Sequence, residues 1–331
     1  MGFFWRTGKP EAVPATEVED VQLSAFVLLS EHLRFRGREL VAALREDFPE
    51  MEWGGDGFEE VMGDLPASTR QAVVCQLGIG PDLKPALVNN MPGHPFLPDL
   101  ELMRASHLSP EDSARIATES KAYLNVAVWA PPGDLALRVE AGRRLAAVVS
   151  VLAGMPIARA VVWHPSGRVT LPEAFRAGTD AIQDGEMPFA SVLLPRVGKD
   201  PDQPDTVTSR TQGYAAFLDA EFEMVQSPLT AEETMLLAMG AGAMAAQMGH
   251  RFQDGDTMSM PDGPPEDEPI RLRYASAEMH STGRAHWVLV HRDSPFDHET
   301  AYGPLPRRAR KRTQESEPGW LQRQLRRSTA H

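Results

Sequence analysis

At 331 residues, with 42% apolar and 24% charged side chains and a formal net charge of −13, the chain has the make-up of an acidic globular protein. No apolar run reaches the ~20 residues that span a bilayer, and the opening MGFFWRTGKPEA lacks the long apolar core and cleavage site of a secretory signal. One cysteine, Cys75, excludes an internal disulfide and any cysteine-rich zinc centre, so a reduced, cytoplasmic location is the expectation.

The charge is unevenly spread. From Pro304 to His331, eight Arg or Lys against two Glu give +6, which leaves −19 on the preceding 303 residues. Such an acidic body repels nucleic acid and anionic membranes, whereas the tail attracts either.

Length favours two packed lobes. In chain order, VQLSAFVLLS alternates as a strand does, and GRELVAALREDFP sets Leu40, Val41, Leu44 and Phe48 on one helical face. AVVCQLGI and PALVNN read as two strands, with Cys75 as a small buried hydrophobe. NNMPGHPFLPDLE reads as a loop. Ser109, followed by Pro110 and Asp112, opens a helix to about Lys121, and AYLNVAVWA is a strand. The first lobe, residues 19–132, therefore has a ferredoxin-like order of elements. A flexible segment, residues 1–18, precedes it.

The second lobe, residues 133–303, starts with a helix capped by Asp134 and a hairpin in ARAVVWHPSGRVTLP. A short helix near 173–183, a strand at FASVLLP and a mobile loop at GKDPDQPDTVTSR follow. AEFEMVQ is a strand, and Thr230 with Glu233 forms a capping box for a helix to Gly249. TMSM, IRLRYASAE and HWVLVH are strands, and residues 304–331 form a basic flexible tail. The fold class is α+β: two lobes, each a mainly antiparallel sheet packed with helices.

Four features invite chemistry. In QDGDT, Asp254 and Asp256 flank Gly255, but neither a phosphotransferase nor a calcium-loop pattern is met, and a tight turn accounts for it. Glu221 and Glu223, two apart in a strand, point to one face. Were QDGDT to open the neighbouring strand, Glu221, Glu223, Asp254 and Asp256 would surround a Mg²⁺ or Ca²⁺ ion. HRDSPFDHET gathers His291, Asp293, Asp297, His298 and Glu299 without any zinc spacing, and Pro295 breaks an aligning helix. The two ends, with Phe3, Phe4 and Trp5 and with Trp320, Arg323, Arg326 and Arg327, suit a partner or a membrane surface.

TQGYAAFLDAEFEM, a helical stretch and FQDGDTMSM together resemble a bacterial family catalogued as domain of unknown function 4261, over roughly residues 207–277. The matching positions are Thr211, Gly213, Phe217, Glu221, Glu223, Asp254, Gly255, Asp256 and Thr257, with Leu218 where that family has glycine. The resemblance implies a bacterial cytoplasmic α+β protein and supplies no activity, cofactor or catalytic residue.

The expected function is a non-catalytic protein-interaction or adaptor module, immunity-like among its fits, with an unidentified protein partner. The alternatives are a metal-dependent hydrolase using the four carboxylates and a peripheral membrane protein acting through its ends. No cofactor is expected beyond a divalent cation at those carboxylates, and no nucleic acid for the body.

Overall fold

The computed structural model describes residues 20–33, 37–54, 73–92, 98, 100–247, 249, 252–260 and 269–304. Its first part contains β1 (Val21–Leu29), α1 (Gly37–Asp47), β2 (Val73–Leu77), β3 (Ala86–Pro92), α2 (Leu100–Ala105), α3 (Pro110–Glu119) and β4 (Ala122–Ala130). Next come α4 (Leu135–Ala153), β5 (Ala158–Trp163), β6 (Arg168–Thr170), α5 (Pro172–Gly178), a 3₁₀ turn (Thr179–Asp184) and α6 (Phe189–Val192). The second part has β7 (Arg196–Asp200), β8 (Gln203–Arg210), α7 (Ala215–Leu218), β9 (Glu221–Ser227) and α8 (Ala231–Gln247). It ends with β10 (Thr257–Met258), β11 (Ile270–Ala275), β12 (His286–His291) and α9 (His298–Tyr302).

Two six-stranded sheets result. The first runs β2-β3-β4-β1-β5-β6 and is antiparallel throughout. The second runs β10-β11-β12-β9-β8-β7 and is antiparallel apart from the parallel pair β12–β9. The mixed α+β, two-lobe architecture is thus as expected from sequence. The first lobe keeps its βαββαβ order with α2 added, but its pairing departs from a ferredoxin-like sheet, in which one strand separates β1 from β2. Here both β4 and β3 lie between them. The first sheet also continues through β5 and β6, well past residue 132.

Helix ends follow their capping residues. Asp112 N–H donates to Ser109 Oγ at 3.0 Å, and Leu137 N–H donates to Asp134 Oδ1 at 3.0 Å. Thr230 and Glu233 exchange bonds, from Glu233 N–H to Thr230 Oγ1 at 3.3 Å and from Thr230 N–H to Glu233 Oε2 at 3.0 Å.

Three expectations were wrong. NNMPGHPFLPDLE is not a loop at its ends, since Asn89 to Pro92 complete β3 against β4 and Leu100 and Glu101 begin α2. FASVLLP forms the short helix α6 before turning extended, because Phe189 packs at a tilt against Tyr214 and edge-on to Phe217, and Leu193 N–H bonds back to the Phe189 carbonyl. A short apolar run does not by itself separate a strand from a buried helical turn. GKDPDQPDTVTSR is the β7–β8 hairpin rather than a loop. Its Pro201-Asp202 tip is tied by Asp202 N–H donating to Asp200 Oδ1 at 2.9 Å, so the breaker residues make the turn between strands.

Helix α4 lies on the first sheet, α8 lies on the second, and the two helices meet back to back between them. Both are rich in Ala, with Val added in α4 and Gly and Met in α8, and are buried on most sides, as a helix enclosed between layers must be. At their junction the chain inserts the segment 211–219. A Cβ built on Gly142 of α4 would lie 2.5 Å from a Phe217 ring carbon, and one on Gly242 of α8 would lie 2.4 Å from the Tyr214 ring. These two glycines are sockets for two rings. Gly198, in the exposed strand β7, has nothing within 4 Å of such a Cβ.

Gly242→Ala is therefore expected to lose about 1–3 kcal/mol in urea unfolding by overpacking. Gly198→Ala should stay within about 0.5 kcal/mol of wild type. Equal costs would remove the socket interpretation.

Candidate functional site

Glu221 opens β9 and is almost wholly buried. Its Oε1 accepts from Gly213 N–H at 2.7 Å and Ala215 N–H at 3.2 Å, and its Oε2 accepts from Tyr214 N–H at 3.1 Å and Thr211 Oγ1 at 3.0 Å. Burial pushes its carboxyl above the ordinary range, while those four donors pull it down. Gly213 sits at φ +121°, and an added Cβ there would meet Ser166 and Leu193 at about 3 Å. Thr211, Gly213, Phe217 and Glu221 thus build the wedge between the helices. Asp219, at φ +61°, ends α7 and pairs bidentately with buried Arg138 of α4 at 2.6 and 2.9 Å.

Glu223 sits two residues on and serves a different set of partners. Strand alternation places Glu221, Glu223 and Val225 on the face of the second sheet that turns away from α8, whereas Phe222 and Met224 join the main core. Glu223 Oε1 accepts from Arg210 Nη2 at 2.6 Å, and its Oε2 lies 2.6 Å from His280 Nε2. The His280 ring stacks on His286, with centroids 3.7 Å apart and planes 10° apart. Glu223, His280 and His286 are 4%, 8% and 1% exposed. Each offers one ligand atom, and the three atoms lie within 4.8 Å of one another.

Hydrogen-bond partners fix both tautomers. Thr282 N–H donates to His280 Nδ1 at 3.3 Å, so Nδ1 is the acceptor and Nε2–H donates to Glu223. His286 Nδ1 lies 2.9 Å from the Arg284 carbonyl, which only accepts, so Nδ1 carries the proton. Its Nε2 is then a bare lone pair, and it is buried with no hydrogen-bond partner. Such an unsatisfied group costs roughly 1–3 kcal/mol. Burial, countered by the Arg284 bond, lowers the His286 pKa to about 4.

The four carboxylates expected to share an ion do not gather. Asp254 and Asp256 belong to the turn before β10, and in the sheet order both β11 and β12 separate β10 from β9. At ~4.8 Å per strand, that separation is far too long for one ion. Asp254 Oδ1 accepts from Arg273 Nε at 2.9 Å and Tyr274 N–H at 3.0 Å. Asp256 Oδ2 accepts from Gln253 N–H at 2.8 Å, Gly255 takes φ +92° and Thr257 pairs with Arg271 of β11. QDGDT is a turn. Among the described residues, the gathered His and carboxylate side chains are Glu223, His280 and His286.

Sequence reading missed these histidines because His280 sits in the turn ASAEMHSTGR and His286 at a strand start. The available signal was alternation in HWVLVH, which sets His286, Val288 and Val290 on one face. The parallel pairing of His286 with Glu221 was not visible.

Arg273 lies on the same outer face, 1% exposed, and all its nitrogens donate. Nε reaches Asp254, Nη1 reaches His298 Nδ1 at 2.7 Å, and Nη2 reaches the carbonyls of Tyr302 at 3.3 Å and Gly303 at 2.9 Å. It thereby pins α9 over the sheet. Desolvation and the Arg273 charge hold His298 below the ordinary histidine range. Beside α9 is an open cleft of about 440 Å³, lined by Arg271, Val290, His291, Arg292, Phe296 and His298 among others. In HRDSPFDHET, His291 and Asp293 approach to 3.7 Å, and Asp297 caps α9 through Thr300 N–H at 3.0 Å. Phe3, Phe4, Trp5, Trp320, Arg323, Arg326 and Arg327, with the segments 1–18 and 305–331, lie outside the described residues. No helix among the described residues is long and apolar enough to cross a membrane.

Asp254→Ala leaves the buried Arg273 charge without its carboxylate and is expected to cost about 3 kcal/mol in thermal or urea unfolding. An unchanged midpoint would contradict the pinning role. For His286, a folded pKa of about 4 against 6.5 unfolded means the unfolded state binds the extra proton first. This contribution is complete above pH 6.5, declines through the window from 6.5 to 4 and amounts to about 3 kcal/mol in all. With chelator present, wild type should lose more stability than His286→Phe between pH 7 and 4, and parallel curves would refute the assignment. No protein-family model, curated protein or solved structure matches this chain.

Proposed function

We propose that this chain is a non-catalytic binding module that engages an acidic segment of a partner protein through the cleft beside α9. The supporting observation is the occupancy of its carboxylates. Glu221 accepts from four donors, Glu223 from Arg210 and His280, Asp254 from Arg273 and Tyr274, and Asp256 from Gln253. Asp254 and Asp256 also stand three strands away from Glu221 and Glu223, so the four do not share the ion that the hydrolase reading needs. This favours the interaction reading over the hydrolase.

Charge favours the partner class. The cleft brings Arg271, Arg292, His291 and His298 together on a chain whose overall charge is −13. Two carboxylates, Asp297 and Glu299, also line it, and Asp297 is committed to Thr300 N–H and Oγ1. Arg forks match carboxylates bidentately, and Phe296 and Val290 supply apolar floor. A partner segment bearing Asp and Glu complements this surface. The resemblance to the domain-of-unknown-function-4261 family is part of the same reading, because Thr211, Gly213, Phe217 and Glu221 act as scaffold. A reduced, cytoplasmic setting fits the single buried thiol of Cys75.

The test is fluorescence anisotropy of a labelled Asp/Glu-rich peptide against the full chain and the Arg271→Glu/Arg292→Glu variant. The basic tail is common to both proteins, so their difference isolates the cleft. Salt-sensitive binding that falls at least ~10-fold in the variant supports the assignment, a loss of ~1.4 kcal/mol. Equal binding by the two proteins overturns it.

A further inference from the structure

We propose that Glu223, His280 and His286 form a binding site for one transition-metal ion of the zinc class. Each of the three side chains is held from outside the cluster by the atom it does not need for ligation. His286 Nδ1–H bonds the Arg284 carbonyl at 2.9 Å, His280 Nδ1 lies 2.9 Å from Thr282 Oγ1, and Glu223 Oε1 takes the Arg210 fork at 2.6 Å. Outer partners of this kind orient ligating imidazoles and carboxylates at metal centres. What remains inward is His286 Nε2, His280 Nε2 and Glu223 Oε2, a two-imidazole, one-carboxylate set with a coordination position left for water.

A purely structural hydrogen-bond network does not account for the cluster. The Glu223–His280 bond satisfies those two residues, yet His286 presents a buried, deprotonated nitrogen with no partner. A cation supplies the missing partner. The donor set also selects its class: imidazole nitrogen suits Zn²⁺, Co²⁺ and Ni²⁺, while Mg²⁺ and Ca²⁺ prefer all-oxygen shells. On binding, the turn opens and draws the Thr282 N–H away from Nδ1, the His280 proton moves from Nε2 to Nδ1, where Thr282 Oγ1 accepts it, and the Nε2 lone pair coordinates. Ligand atoms now within 4.8 Å draw towards bonds of ~2.1 Å, and the stacked rings tilt apart. His280 rides on the turn Ser276–Gly283, whose residues Met279, Ser281 and Thr282 are exposed, so uptake requires opening of one surface turn only.

The experiment titrates Co²⁺ alone into the full chain, reading visible d–d absorption, with Zn²⁺ added as competitor. Wild type should bind one equivalent, displaced by Zn²⁺, and folded wild type without such a spectrum would overturn the site. His164→Gln, on an exposed residue of the turn between β5 and β6, should behave as wild type, and loss of the spectrum there would also count against the assignment. His286→Gln should abolish the spectrum while keeping wild-type circular dichroism, and retention of full binding would refute the proposal. Should His286→Gln fail to fold, Thr282→Ala on the exposed turn decides. A ~10–100-fold weaker affinity supports the site, and an unchanged one sinks it.

Discussion

The insertion of Tyr214 and Phe217 between α4 and α8 is the contact on which the rest of this architecture depends. Neither ring can enter unless Gly142 and Gly242 leave the space and the backbone of residues 211–215 holds its bend. That bend exposes N–H groups to a dry interior, where they require an acceptor. The Glu221 carboxylate provides it, at the cost of its own desolvation. Tyr214 completes the joint by donating its hydroxyl to the Met239 carbonyl of α8 at 2.5 Å. Because α4 rests on the first sheet and α8 on the second, one hydrophobic core runs from Leu23 and Val126 through Phe217 to Leu272 and Leu289. The two lobes share that core and the wedge between them.

The second sheet divides its labour by face. Inward, Phe222, Met224, Leu272 and Leu289 pack with α8, and rings follow one another from Tyr214 through Phe222 and Phe252 to Trp287. Outward, the same strands place Glu221, Glu223, Arg273 and His286 among Val225, Val288 and Val290. A polar face can be buried only if its charges find one another. Arg210 with Glu223 and Arg273 with Asp254 meet that condition, and each fastens different elements. Such pairs specify where elements dock more than they stabilise, since charge attraction and desolvation nearly offset in a protein interior.

Much of this was legible in the residues because its causes are local. Helix starts at Ser109, Asp134 and Thr230 follow from side-chain caps, and the outward facing of Glu221 and Glu223 follows from strand alternation alone. QDGDT reads as a turn for an equally local reason, the positive φ of Gly255. What stayed hidden depends on which strand lies beside which. The carboxylate quartet failed as an ion site because β10 pairs with β11 at the sheet edge instead of with β9. The strand expected at FASVLLP became a helical turn because its Phe189 was recruited by the wedge, a demand set by residues some 25 positions away. The ferredoxin-like order survived as an order while the pairing changed, since βαββαβ constrains sequence and not adjacency.

The Glu223–His280–His286 group belongs to the same category, and its location says why it is intact only in the finished fold. Among the described pairings, β9–β12 is the parallel one, and parallel neighbours require a long crossover. Here the crossover runs through α8, β10 and β11, so the placing of His280 and His286 beside Glu223 depends on the packing of α8 and on the β11–β12 pairing. The wedge seats α8 through Gly242, and the Glu221 that holds the wedge is in register with His286. One strand therefore anchors the helical joint with its first carboxylate and assembles the histidine cluster with its second. The two clusters sit on either side of Phe222, whose ring faces the core between them. A change that loosens the wedge would let β9 shift against β12 and separate the donors, whereas a change confined to the His280 turn would spare the core.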